Sequence, residues 1–110
     1  MTTDAVSLIP LYENNDVYLV LDELVTFGRV WCELSEKSAN AQTVVELIAN
    51  GGFHRPMRVI AFNTAEGWSR DETVAVGLKL LQMSHEGRVL GDAAREFIQR
   101  TTGQVPTLLA

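Results

Sequence analysis

Residues 63–72, NTAEGWSRDE, hold the densest set of side chains able to do chemistry. A carboxylate beside an indole and a guanidinium would suit a small polar ligand. In that reading Glu66 acts as acid or base, Asn63 and Arg70 anchor the ligand, Trp68 forms a stacking wall and Thr64 adds a hydroxyl. A general base needs a pKa near the working pH, so Glu66 would have to be desolvated. The competing reading is a structural corner. Asn63 and Thr64 bond nearby backbone, as such residues do in turns; Trp68 closes over the core and Glu66 pairs with Arg70.

Two more specific chemistries fit poorly. Gly67-Trp68-Ser69 matches the start of the G-x-S-x-G nucleophile elbow, but Asp71 stands where the last glycine allows close strand–helix packing. Ser69 with Glu72 three residues later is a capping-box pair, which predicts Ser69 as an N-cap and a helix from about Arg70 to Glu86. A helix start attracts phosphate through its free N–H groups. Asp71 and Glu72 would repel it there.

Elsewhere the chemistry is sparse. Cys32 alternates with Val30 and Leu34, so it is expected inside as an inert thiol. His54 and His85 lie in GFHRP and MSHEG, with no HExxH, CxxC or HxH spacing. No metal and no cofactor is expected.

The elements that position these residues follow from periodicity. VYLVLDEL (17–24) is apolar on both faces, as in a strand covered on both sides. RVWCEL (29–34) alternates like a half-exposed strand, and TFGR between them predicts a hairpin. Ala41, Val44, Val45 and Ile48 form one helical face, capped by Asn40 or Ser38 and ended by Gly51 or Gly52. MRVIAF (57–62) is a third strand, and a last helix is expected over Asp92–Thr101.

The expected class is α+β, ordered β-β-α-β-α-α. A three-stranded mixed sheet of order 2-1-3 would carry its helices on one face, with the strands on either side of the first helix parallel. Residues 1–15, with Leu8, Ile9, Leu11 and Tyr12 around Pro10, read as an irregular arm. Residues 16–102 form one domain and 103–110 a tail. The second helix has Val74, Gly77, Leu78 and Leu81 on one side, and Val76, Leu80 and Met83 on the other. A helix apolar on two sides needs two partners. The sheet is one, with Gly77 allowing close approach; the other is the last helix or a second copy.

At 110 residues, 46% hydrophobic and 21% charged, the chain has the balance of an ordinary soluble domain. A net charge of −5 disfavours nucleic acid. A signal peptide and a membrane span are both unexpected, which points to a cytoplasmic setting. The strings VYLVLDEL, FGRVW and RVIAFNTAEGWSRD resemble a set of short hypothetical bacterial proteins over about residues 17–100. AFNTAEGWSRD is the most specific part. The resemblance implies a bacterial cytoplasmic protein and brings no activity, ligand or site residue with it.

The leading expectation is a non-enzymatic protein-interaction module, binding a protein partner or forming a homo-oligomer through Trp31, Val76, Leu80 and Met83. The alternative is a ligand or enzymatic site at Asn63–Arg70. A third arrangement pairs the free edge of the Trp31 strand with another chain.

Overall fold

The computed structural model describes residues 16–34 and 40–106. The expected arm at 1–15, the Ser38 cap and the last four residues of the tail lie outside them. The elements are β1 (Asp16–Leu24), β2 (Gly28–Leu34), α1 (Ala41–Ala49), β3 (Pro56–Asn63), β4 (Trp68–Asp71), α2 (Thr73–His85) and α3 (Asp92–Thr102). The fold is α+β, with a four-stranded sheet of order β2-β1-β3-β4. Every neighbouring pair is antiparallel, so the expected mixed, three-stranded sheet is corrected on both counts. β2 and β3 both run against β1, which makes them parallel to each other across the α1 connection.

The fourth strand occupies residues expected at the start of a helix. Asn63 closes β3, and its carbonyl accepts the Gly67 amide at 2.9 Å. Gly67 takes φ +76°, a conformation glycine adopts without steric cost. The chain then returns as β4, pairing Phe62 with Ser69 and Ala61 with Arg70. Ser69 therefore sits mid-strand and caps nothing. α2 begins three residues later than expected, and its N-cap, Glu72, makes no side-chain cap bond. Asp71 Oδ1 instead accepts the Thr73 amide at 2.9 Å. Thr73 Oγ1 accepts the Val59 amide at 2.9 Å, so a side chain carries the ladder past the end of β4.

The ends of α1 follow their sequence signals. Asn40 caps α1 by accepting the Thr43 amide at 2.9 Å. Gly51 and Gly103 take left-handed conformations just past α1 and at the end of α3.

Strand alternation divides the sheet into two faces. Tyr18 and Val20 of β1 and Val59 and Ala61 of β3 point at the helices and are buried. They meet Val44, Val45 and Ile48 of α1, Val76 and Leu80 of α2, and Phe97 and Ile98 of α3 in one core. Val76 and Leu80, expected on an interaction surface, belong to this core instead. Met83 packs against its margin.

Gly77 does permit a close approach, but of α3, not the sheet. A Cβ there would stand 2.1 Å from Thr101 Oγ1 and 3.1 Å from Thr102 Cγ2. Thr101 Oγ1 is held by its own bond to the Phe97 carbonyl at 2.8 Å, so swinging it aside breaks that bond. Overpacking costs about 1–3 kcal/mol, while alanine gains about 1 kcal/mol of helix propensity over glycine. Gly77→Ala is therefore expected to destabilise by about 1 kcal/mol in urea unfolding, where an open helical site would gain.

No helix among the described residues is long and apolar enough to cross a membrane.

Candidate functional site

The corner at 63–72 satisfies itself. Asn63 Oδ1 accepts the Glu66 amide at 2.7 Å, and Asn63 Nδ2 donates to Asp16 Oδ1 at 2.8 Å. Glu66 is exposed near the hairpin tip, and its carboxylate accepts the Trp68 indole N–H at 3.0 Å. The Trp68 ring is partly buried against the core. Arg70 lies over that ring at 4.2 Å and pairs with Glu72 at 3.2 Å, not with Glu66. Thr64 is exposed in the turn. Five of the sequence candidates thus meet on one hairpin, and four of them are engaged with neighbours there. An exposed, hydrogen-bonded Glu66 lacks the desolvation that a general base requires.

Trp31 belongs to a different surface. By register it lies opposite Leu21, on the face turned away from the helices, whereas Trp68 and Arg70 share the helix side with Asn63 and Ala61. The two tryptophans therefore do not converge on one site.

Three aligned rows build the outer face. Trp31, Leu21 and Arg58 form the first; Glu33, Leu19, Ile60 and Asp71 the second; Val17, Phe62 and Ser69 the third. Their centre is apolar: Val17, Leu19, Leu21, Ile60 and Phe62, all half-buried, with Trp31 50% exposed. Charged residues stand around it. Arg58 binds Asp71 at 2.6 Å, and Arg29 reaches Glu23 at 3.5 Å. Hydrogen bonds from Thr73, with Arg58 beside them, hold the Asp71 carboxyl below its ordinary range. The Arg55 hydrogen bond does the same for Glu23.

An open groove of about 570 Å³ continues this face past Leu21, Arg58 and Asp71 toward Arg100. Two of its guanidinium groups are engaged, Arg58 with Asp71 and Arg100 with the Pro56 carbonyl, while Arg29 makes a long contact with Glu23. As an anion site it offers little free charge.

A further polar centre escaped the sequence reading. Asp22, 3% exposed, accepts the Arg55 amide at 2.7 Å and the His54 amide at 3.0 Å, which fixes the loop entering β3. Its signal was an acidic residue on the same face of β1 as the apolar Tyr18 and Val20. Burial, with the Asp22 charge nearby, pushes the Cys32 thiol up, so it stays protonated at neutral pH and a poor nucleophile. The His54 imidazole lies 3.6 Å from Asp22, and no cluster of three or more His, Cys, Asp or Glu able to hold a metal ion occurs among the described residues.

Comparisons with protein-family models, with curated proteins and with solved structures found no match to this chain.

Proposed function

We propose that this chain is a small non-enzymatic interaction module whose docking surface is the sheet face opposite the helices. One observation carries the reading: Val17, Leu19, Leu21, Ile60, Phe62 and Trp31 make a continuous apolar centre within a charged margin, with no element of the described residues laid across it. Protein interfaces have this anatomy, an apolar core with aromatic residues inside a polar rim. Trp is among the residues most enriched at binding hot spots. The occupant is a protein surface, from a partner or from a second copy.

Ile60→Lys tests the reading. The introduced lysine faces Asp71 across the β3–β4 pair, so the fold has a way to accommodate it. A buried charge in the middle of an interface should weaken association by about tenfold or more. The wild-type chain is expected to sediment above its monomer mass at micromolar concentration, or to co-purify with a stoichiometric partner. Ile60→Lys should lose the stoichiometric partner, or any self-association made through this face, while keeping its circular dichroism. A wild-type chain that is monomeric and partnerless, with the variant indistinguishable from it, would rule the reading out.

A further inference from the structure

β2 is an edge strand long enough to pair with another chain, and its only charged residues are Arg29 and Glu33. It is seven residues long, carries no proline, and pairs in unbroken register with β1 alone. The opposite edge, β4, is only four residues long. An open edge presents a row of N–H and C=O groups able to pair with another chain. Among the described residues, nothing bonds the outer side of β2.

The sequence of β2 is complementary to itself. Arg29 and Glu33 lie two positions either side of Trp31, and all three point to the helix-free face. Suppose two β2 strands meet antiparallel about a two-fold axis through Trp31. Each Arg29 then faces a Glu33 of the other copy, and Trp31 faces Trp31. Val30 faces Cys32 on the helix side. Shifting the axis by one residue destroys this match: centred on Val30, Arg29 faces Trp31, and centred on Cys32, Glu33 faces Trp31. Opposite charges and aromatic pairs directly across a ladder stabilise it, and like charges there oppose it. Such a pair needs the same patch to recognise itself, which is the condition for a closed two-fold dimer.

We infer that β2 is the site where two copies of this chain join, edge to edge and antiparallel about Trp31, into one continuous eight-stranded sheet. The inference rests on the interaction reading above and assigns self-association to the edge, leaving the apolar faces side by side as one wider docking surface. Arg29 contributes to both partners: its contact with Glu23 is long and exposed, a geometry of little intrinsic strength. Glu33 is exposed and has no ion-pair partner among the described residues.

A charge swap tests this on the full chain. Arg29→Glu places two pairs of carboxylates across the axis, and Glu33→Arg two pairs of guanidinium groups. Each should weaken dimerisation roughly tenfold or more in sedimentation equilibrium. The double variant Arg29→Glu/Glu33→Arg restores opposite charges and should return the affinity to within about threefold of wild type. Hydrogen exchange reads the edge directly: the outward amides of β2 should become protected as concentration rises.

Several results would overturn the inference. One is a wild-type monomer at every concentration. Another is a dimer whose β2 amides exchange freely or whose double variant is not restored. The last is concentration-independent protection of β2, which would mean the chain covers its own edge. A dimer indifferent to the charge swap but broken by Ile60→Lys would leave the docking face standing and remove only the edge contact.

Discussion

Asp22→Ala is expected to lower the unfolding free energy by about 3 kcal/mol. The carboxylate is buried and gives one oxygen to the Arg55 amide and the other to the His54 amide. Hydrogen bonds to a charged group contribute about 1.5–3 kcal/mol each, and a buried donor left without an acceptor costs about 1–3 kcal/mol. Alanine removes both acceptors at once. Water can reach the His54 side, because its imidazole is largely exposed, and this keeps the expected loss at the lower end of the summed range. A domain of this size has about 5–15 kcal/mol in total, so the melting temperature should fall on the order of 15 °C.

Neighbouring bonds hold the same loop. The Glu23 amide donates to the Arg55 carbonyl at 3.1 Å, and the Arg55 guanidinium spans Glu23 and Glu96. The loop entering β3 is thus tied to both β1 and α3. Asp22→Asn keeps one acceptor but turns an NH2 group toward the second amide, so about half of the alanine effect is expected. Were Asp22→Ala to unfold at the wild-type temperature, water would have to replace both acceptors, and the carboxylate could not be what holds this loop.

Which parts of this fold were legible follows from what periodicity encodes. α1 and α3 are readable because their apolar residues keep one helical face, and the ends of α1 carry Asn40 and Gly51. β4 was hidden because Trp68-Ser69-Arg70-Asp71 has no apolar alternation, while Ser69 and Glu72 imitate a capping box. Its available signal was Gly67, set in a short polar turn after an apolar strand, which is also how a hairpin begins. The strand's pairing comes from backbone and from Trp68 on the core, neither of which a pattern of side chains records.

The site was legible in its residues more than in its geometry. The two-sided apolarity of β1 was plain, yet of its apolar residues only Tyr18 and Val20 are buried by helices. A pattern states that a face avoids water, not what covers it. Trp31 was correctly placed on the half-exposed side of its strand, but whether it shared a face with Trp68 depended on the sheet register. That register puts them on opposite faces, so the polar corner and the apolar face are separate surfaces.

Leu80→Ala is expected to cost about 3–4 kcal/mol, and Leu78→Ala less than about 1 kcal/mol. In the sequence both looked like members of apolar flanks on opposite sides of α2. The buried positions are Thr73, Val76, Gly77, Leu80, Leu81 and Ser84. At about 100° per residue these span one broad sector of about 140°, built from members of both supposed flanks. Leu80 lies well inside it, fully buried in the core that α2 shares with the sheet and the other helices, where a cavity collapses only if one of these elements moves. Val74 and Leu78 fall just beyond the sector, at 53% and 48% exposure. Shortening Leu78 removes little buried area, so urea unfolding should separate the two variants by more than about 2 kcal/mol at equal m-value. Equal losses, with the Leu78→Ala loss growing at higher protein concentration, would mean that the Val74–Leu78 shoulder is itself covered in an assembly. In that case α2, and not the β2 edge, would be where copies of this chain meet.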